Sequence, residues 1–396
     1  MTSNDVGGEQ IWNPQRLRSG NERLLLGLLR SGGPASRAQL ARTTGLSKPT
    51  VSSALASLEQ AGLVREAGVH TPERGRTAVL YAPDPTAGYA LGIDIGRAWL
   101  RVALADLDGT VVARTEVRNQ ARTSGPMADL VVATARELVG SSGVAPATIV
   151  QAVVGTPGVY DEELRRVRFA GNLPGWGRPG LFDRMREGLG LPLAVHNDAN
   201  LAALGEYTVG VGAGSRLFVY LMIGTGLGMG VVSEGRLFTG AHGGAGEIGF
   251  MPWPGRQGPG TLEGLVAGDA VVAAAREHGM TGDLSAKDVF DAARSGDPAA
   301  VEAVELEGER LAHTVAAVSA VLDPDLVVLG GGIGHSADLL LRTVRSALRS
   351  LTPIRPRVAA STLGEDAVLH GALAIALDTA RDVVFERRPH PGRLHS

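Results

Sequence analysis

The sequence contains no cysteine, few aromatic residues and no long apolar run. The absence of cysteine among 396 residues excludes disulfide bonds, thiolate zinc sites and a catalytic thiol. No segment offers the roughly 18 consecutive uncharged apolar residues of a membrane-spanning helix. The first twenty residues also lack a basic stretch followed by an apolar one, which a secretory signal requires. We therefore expect a cytoplasmic protein.

Glycine, in contrast, is abundant. The 55 glycines predict many tight turns and close backbone approaches, as in α/β domains whose loops hold ligands. A chain of this length exceeds one ordinary core, so two or three domains are expected. The net charge of −3 hides an asymmetry, because residues 1–82 carry ten Arg and Lys against six acidic residues. A basic head on an acidic body indicates a polyanionic partner for the head.

Residues 1–82 have the pattern of a winged helix-turn-helix. A leucine-rich segment, "NERLLLGLLR", predicts a short amphipathic helix that ends before "SGGP". A capping box at Ser36 and Gln39 then opens a second helix, which stops at Gly45. A third helix begins with Ser47 as its cap and Pro49 in its first turn. The following stretch, "REAGVHTPERGRTAVLYAP", has two extended arms around a Gly/Pro loop, which predicts a wing.

The third helix is the candidate recognition helix. Its Val51, Leu55 and Leu58 share a face that we expect to be buried, which turns the opposite face of its first turns outward. The candidate DNA-binding residues of this helix and of the wing are Lys48, Thr50, Ser52, Ser53, Arg74 and Arg76. The alternative is a small helical domain that binds proteins and has a solvated basic face. The order of elements favours DNA.

The rest of the chain is organised as two similar lobes. "PDPTAG", residues 83–88, is the predicted linker, residues 89–385 the body and residues 386–396 a disordered tail. The succession of strand, glycine turn, strand, Asp-Gly or Glu-Gly turn and strand occurs once from residue 89 and again from residue 216. A third glycine turn, "LVVLGGGIG", follows a buried-strand pattern. Three such turns suggest a nucleotide cradled between lobes, although each one alone is a weak signal.

A series of motifs carries a family resemblance over nearly the whole chain. They are "GIDIGRAWLRVALADLDG", "GTPGVYD", "GNLPGW", "NDANLAALGE", "IGTGLGMGVV", "GAGEIGF" and "GGGIG", behind the basic head. In this order they resemble the ROK family of repressors and sugar kinases. The resemblance implies an α/β fold: a winged helix-turn-helix followed by a two-lobed, actin-like ATPase fold of the sugar kinase or hexokinase type.

The resemblance also implies a sugar site. In the kinases of the family, the aspartate that matches Asp198 is the general base that takes a proton from a sugar hydroxyl. Side-chain amides and carboxylates select hydroxyl positions by paired hydrogen bonds. The five positions that match the sugar-binding residues of the family are Asn172, Asn197, Asp198, Glu247 and Glu263.

The phosphate-binding turns depart from the kinase pattern. The first turn of the kinases reads Asp-x-Gly-Gly-Thr, whereas this chain has Arg97 and Ala98 at its last two positions. A bulky side chain and a missing hydroxyl predict poor phosphoryl transfer, because that reaction depends on positioning. The candidate nucleotide-binding residues are Asp94, Gly96, Gly224, Thr225, Gly226 and Gly331.

The loop after "GEIG" differs from the family in a second way. In the family, this loop holds a structural zinc with one histidine and three cysteines. In this chain Phe250, Pro254, Arg256 and Thr261 take those positions. We therefore expect no zinc and no other resident cofactor. A hypothesis that rests on residue type is that the Pro-Trp-Pro segment at 252–254 packs the loop in place of the metal.

Two functions follow from these patterns. The favoured one is a DNA-binding regulator, most simply a repressor, whose degenerate kinase body senses a sugar or sugar derivative. It predicts a homodimer or homotetramer on a pseudo-palindromic double-stranded operator. The alternative is an ATP-dependent, glucokinase-like sugar kinase that carries a DNA-binding head, in which Asp198 would be catalytic and Mg-ATP the cosubstrate.

Overall fold

The chain divides into two compact units, and neither of them is continuous in sequence. A computed structural model describes residues 14–71, 77–169, 176–255 and 258–388. The first unit combines residues up to Tyr89 with Asp106–Thr110 and with the chain from Thr379 onward. The second unit comprises Ala90–Ala105 and Val111–Asp378. The last segment of the chain is therefore grouped with the head, which the sequence pattern did not predict.

The first unit is a winged helix-turn-helix, as predicted. Its elements are α1 (Pro14–Gly32), β1 (Ala35–Ser36), α2 (Arg37–Thr44), α3 (Lys48–Gln60), β2 (Val64–His70) and β3 (Ala78–Pro83). Ser36 and Gln39 form the predicted capping box, and Gly45 ends α2 in the left-handed conformation. The Ser47 side chain accepts from the Thr50 N–H at the start of α3. The strands form a small antiparallel sheet in the order β1-β3-β2.

The core of the head includes a residue from the far end of the chain. Val51, Leu55 and Leu58 of α3 are buried as predicted, and Phe385 packs in the same cluster. The first helix is longer than predicted, because it starts at Pro14, and it buries Leu25, Leu26 and Leu29 while Leu24 is exposed. Five leucines among the six positions 24–29 can meet the core with either of two overlapping faces, and only the packing partner decides between them.

The second unit contains two five-stranded sheets. The elements of its first half are β4 (Tyr89–Ile95), β5 (Trp99–Asp106), β6 (Val111–Arg118), α4 (Ser124–Ser142), β7 (Ile149–Thr156), β8 (Val159–Asp161), β9 (Arg166–Arg168), α5 (Leu181–Leu189), β10 (Leu193–Asn197) and α6 (Asp198–Val209). Those of its second half are β11 (Leu217–Ile223), β12 (Leu227–Ser233), β13 (Arg236–Leu237), β14 (Pro252–Gly255), β15 (Gly258–Thr261), α7 (Leu262–Val266), α8 (Gly268–Glu277), α9 (Ala286–Arg294), α10 (Pro298–Leu322), β16 (Leu326–Gly330), α11 (Gly331–Gly334), α12 (Ala337–Leu351), β17 (Arg357–Ala360) and α13 (Ala367–Arg387). The strand orders are β10-β7-β4-β5-β6 and β13-β12-β11-β16-β17.

The repeated plan that the sequence predicted is present in both sheets. Antiparallel β5 and β6 are joined by a turn in which Gly109 has a φ of 89°. The turn between β12 and β13 places both Glu234 and Gly235 at positive φ, the conformation of a tight hairpin. Each sheet also contains a parallel pair, β7 with β10 and β11 with β16. Parallel strands end at one edge of the sheet, and ligands of α/β folds bind beyond that edge.

The end of the body differs from the predicted boundary at residue 385. Helix α13 continues to Arg387, and the guanidinium of Arg388 is buried against Glu22 of α1 at 2.9 Å. Residues 386–388 are therefore structured rather than part of a tail, and residues 389–396 lie outside the described part of the chain. The predicted linker also has structure, because residues Pro85–Ala87 form a 3-10 turn capped by Asp84.

Candidate functional site

Four of the five predicted sugar-binding residues, Asn197, Asp198, Glu247 and Glu263, lie where the two sheets of the second unit meet. Asp198 is the first residue of α6, directly after β10 of the first sheet. Helix α6 then packs on the second sheet so closely that a Cβ at Gly230 of β12 would lie 2.3 Å from the Ala199 carbonyl oxygen. The Asp198 carboxylate is therefore held at the junction of the sheets by the start of a helix, a position that favours negative charge.

Burial makes Asp198 an unusual carboxylate. Its Oδ1 accepts the Ala199 N–H at 2.8 Å. Burial raises its pKa to about 6, although backbone hydrogen bonds from Ala199 and from its own N–H oppose the shift. A general base works best when its pKa lies near the working pH, so this environment suits proton transfer as well as ligand binding.

Two glutamates share the site with Asp198. Burial raises the pKa of Glu247, and the charges of Asp198 and Glu263 raise it further, so both of these carboxylates lie within electrostatic reach of Glu247. Oε2 of Glu263 accepts the Leu227 N–H at 3.1 Å, and a Cβ at Gly226 would lie 2.7 Å from that oxygen. Glycine at 226 is therefore what allows the carboxylate to approach the second glycine turn.

The two predicted asparagines have different outcomes. Asn197 caps α6: its Oδ1 accepts the Asn200 N–H at 3.0 Å, and its Nδ2 donates to the Gly158 carbonyl at 3.2 Å. It thereby ties the start of α6 to the loop between β7 and β8. Asn172 lies outside the described residues.

The three predicted glycine turns converge on this edge of the sheets. A Cβ at Gly224 would lie 3.7 Å from the Gly332 nitrogen, and a Cβ at Gly331 would lie 2.5 Å from the Ile223 carbonyl oxygen. These distances place the second turn against the third. The first turn meets the second through a side chain, because Nη1 of Arg97 donates to Oγ1 of Thr225 at 3.2 Å.

Asp94, a predicted nucleotide-binding residue, is engaged in a buried ionic cluster. Arg101, on the neighbouring strand β5, approaches Asp94 at 3.3 Å, Glu116 at 2.9 Å and Glu365 at 2.7 Å. Burial raises the pKa of Asp94 to about 7 against the opposing effect of Arg101, and the charge of Asp198 adds to the shift. Sequence reasoning did not single out Arg101. A lone arginine in the otherwise apolar strand "WLRVALAD" was the available signal.

The loop that departs from the family's zinc pattern forms a β-hairpin. Strands β14 and β15 pair from Pro252 with Thr261 to Gly255 with Gly258. The Trp253 ring contacts His313 of α10 edge-on at 5.5 Å, and the Phe250 ring lies 5.5 Å from that of Phe169. Aromatic contacts therefore anchor this loop. Within the described ranges, no three His, Asp or Glu residues are grouped as metal ligands.

The candidate DNA-binding surface is described in part. Lys48 and Ser53 are exposed on α3, while Thr50 and Ser52 are half-buried. The Thr50 hydroxyl lies 2.8 Å from that of Ser47, so Thr50 contributes to the cap of the helix. Arg74 and Arg76 of the predicted wing tip lie outside the described residues. None of the described helices is long and apolar enough to cross a membrane.

Comparisons with known proteins agree with this architecture. The family model "ROK family" matches residues 90–379, and a model of the MarR family matches residues 19–76. The chain belongs to the ROK family. Over 92% of its length it is 26% identical to a xylose repressor of Bacillus spizizenii, of which 96% is covered. It is also 30% identical to a glucokinase of Halalkalibacterium halodurans, over 71% of this chain and 92% of that protein.

Solved structures of the ROK family match either the whole of this chain or its body alone. A ROK transcriptional regulator, described as a homolog of the E. coli MLC protein, superposes with a TM-score of 0.75 at 23% identity and covers 93% of this chain. A ROK glucokinase from Streptomyces griseus, solved with glucose and AMPPNP, superposes with a TM-score of 0.64 at 27% identity and covers 74%. The regulators thus match head and body together, whereas the kinases match the body.

Proposed function

We propose that this ROK protein is a sugar-responsive transcriptional repressor. The observation that carries the proposal is the union, in one chain, of a complete winged helix with a body that keeps Asp198, Glu247 and Glu263 together. Such carboxylates bind neutral hydroxyls well, and none of the three has an ion-pair partner among the described residues. A relative that matches both parts of the chain is named a xylose repressor.

The mechanism that we propose is ligand-dependent closure of the two sheets of the body. A sugar that contacts Asp198 from the first sheet's edge and Glu263 from the second would favour the closed arrangement by its differential affinity. In a homodimer or homotetramer, the closure would change the spacing of the paired heads on a pseudo-palindromic operator. Helix α13 contributes residues to both units and is the element through which the change would pass.

The DNA-binding part is tested with the full chain and duplexes selected from a random pool. Lys48→Ala should weaken binding and lower its salt dependence, because it removes an exposed cation from the start of the recognition helix. Gln60→Ala, at the exposed end of the same helix, is the matched control and should bind as the wild type does. Equal affinity and salt dependence of all three proteins would contradict the assignment of α3.

The sensing part is tested by adding xylose, glucose or N-acetylmannosamine to the protein–DNA complex. One of these sugars should change the affinity for DNA, and Asp198→Asn should abolish the response while it leaves sugar-free DNA binding intact. One relative is named a glucokinase, and a structural neighbour is described as "a putative N-acetylmannosamine kinase", which is why these sugars belong in the panel. If Asp198→Asn responds like the wild type, the proposed sugar site is wrong.

One observation favours the second candidate, an ATP-dependent sugar kinase. The pKa of Asp198, raised to about 6 by burial, and the preserved second glycine turn are what a phosphoryl-transfer site requires. Two other observations oppose the kinase. Arg97 is hydrogen-bonded to Thr225, and Arg101 forms an ion pair with Asp94. A coupled assay for ADP release with the same sugars decides between them. ADP release that depends on sugar and on Asp198 would establish the kinase.

A further inference from the structure

The first and second glycine turns of the body are joined directly by Arg97. Its Nη1 donates to Oγ1 of Thr225 at 3.2 Å, a hydrogen bond between residues 128 positions apart. Arg97 projects from the turn between β4 and β5, and Thr225 from the turn between β11 and β12, so the bond links the two sheets. Both side chains are exposed, and no carboxylate within the described residues forms an ion pair with Arg97.

Three backbone groups of the first turn are hydrogen-bonded within the protein. The Gly96 N–H donates to the Trp99 carbonyl at 2.9 Å. The Gly96 carbonyl accepts from the Asn119 side chain at 2.7 Å, and the Ala98 carbonyl accepts the Asn119 N–H at 2.9 Å. These bonds fix the conformation of the turn, so the direction in which Arg97 leaves it is set by the backbone.

The second turn also has a donor that is engaged within the protein, and the third turn is packed against a side chain. The Gly224 N–H donates to the Gly226 carbonyl at 3.0 Å. At the third turn, the side chain of Tyr220 packs against the backbone, since a Cβ at Gly330 would lie 1.9 Å from the Tyr220 hydroxyl oxygen. Phosphate groups bind to glycine turns through free N–H donors. In the first and second turns, one such donor is satisfied by the protein itself.

We propose that Arg97 is a positioning residue that takes the place of a bound phosphate. A phosphate group between two glycine turns would hold them together through its oxygens. Here the Arg97 guanidinium makes that link with Thr225, and the link needs no nucleotide. Since Thr225 precedes Gly226 and Leu227, which pack on and donate to Glu263, the link also holds Glu263 in register with Asp198. The inference deepens the proposed function: the sugar site is kept assembled without ATP.

The first test measures nucleotide binding and requires no sugar. The full chain and the double variant Arg97→Gly, Ala98→Thr are titrated with Mg-AMPPNP by calorimetry and by thermal shift. The double variant should bind at least about tenfold more tightly than the wild type, because the substitution removes the internal link and adds a phosphate-binding hydroxyl. Wild-type binding as tight as that of the double variant would overturn the proposal.

The second test is a double-mutant cycle between Arg97→Ala and Thr225→Val. For the sugar that binds the wild type, each single variant should weaken the affinity about fivefold, the usual effect of losing one hydrogen bond. The double variant should be no weaker than either single one, because both lose the same bond. Arg118→Ala is the control: Arg118 is an exposed arginine stacked on Trp99 beside the first turn, and its loss should leave the sugar affinity unchanged.

The outcomes distinguish a failure of the proposed Arg97–Thr225 link from a failure of the proposed function. Additive effects of the two single variants, in a protein whose sugar binding depends on Asp198, would overturn the link and leave the sensor intact. If no sugar binds the wild type, the sensor is wrong. The same cycle is then measured on the melting temperature of the ligand-free protein, in which non-additive losses support the link and additive losses refute it.

Discussion

Replacing Asp198 by Asn should stabilise the protein while it abolishes sugar binding. The carboxylate is placed where burial raises its pKa from 3.8 to about 6. A shift of about two pKa units, at about 1.4 kcal/mol per unit, corresponds to about 3 kcal/mol. This value is an upper limit, since the residue keeps some exposure. Asn keeps the Oδ1 that accepts the Ala199 N–H, so the substitution removes the charge without removing the hydrogen bond.

The sign of the effect defines its pH window. A carboxyl group with a raised pKa in the folded state keeps its proton to a higher pH in the folded chain than in the unfolded chain. Asp198 therefore lowers the stability of the wild type as the pH rises from about 4 through about 6, and Asp198→Asn lacks this contribution. Glu247 and Asp94 add to the gain in the variant, because the charge of Asp198 raises the pKa of both.

The assay is the melting temperature of both proteins between pH 4 and pH 8. The two curves should meet near pH 4, and the variant should melt on the order of 5 °C higher at pH 7. Asp325→Asn is a control of opposite sign, because hydrogen bonds from the N–H groups of Leu217 and Arg216 lower the pKa of Asp325. That variant should melt lower than the wild type at pH 7. If Asp198→Asn melts at or below the wild type across the whole range, the reasoning about burial is refuted.

Three further substitutions test the packing. Glu307→Gln should raise the melting temperature at pH 7, because Glu307 is fully buried on α10 with a pKa raised by burial, and neither carboxylate oxygen has a partner among the described residues; an unchanged melting temperature would contradict this. Arg388→Met should weaken DNA binding and destabilise the head by about 3–5 kcal/mol in denaturant titration, because it leaves Glu22 buried and unpaired, and adding Glu22→Gln should restore part of the loss. Gly371→Ala should reduce the free energy of unfolding by about 3 kcal/mol and so lower the melting temperature, because its Cβ would lie 1.8 Å from a backbone oxygen of α6. Gly140→Ala is the control and should leave the melting temperature unchanged, because the space around Gly140 is open.

The local elements of the head were predictable because short-range chemistry specifies them. The capping box at Ser36, the left-handed Gly45 and the cap at Ser47 each depend on residues within four positions of one another. The contribution of Phe385 and Arg388 to the head was not predictable in the same way. Those residues lie more than 350 positions from α1, and a basic, proline-containing end has the composition of a disordered tail.

The candidate site was predicted in its residues but not in its connections. The order of motifs led to Asp198, Glu247 and Glu263, which the structure brings within electrostatic reach. Their roles stay predictions. Arg97 was identified only as a departure from a pattern, and its bond to Thr225 depends on how the two sheets are oriented. Spacing within a motif carries no information about a distance across a cleft.

The two halves of the cleft differ in whether their charges are already satisfied. On the nucleotide side, Asp94 faces the buried Arg101, and one N–H in each of the first two glycine turns is used by the protein itself. On the sugar side, Asp198 and Glu247 have raised pKa values and no cationic partner among the described residues. A buried carboxylate without a partner lowers stability, and hydroxyl donors of a ligand would remove that cost. The unsatisfied half is therefore what the proposed neutral polyol ligand requires, and the satisfied half is what the proposed ATP-independent site requires.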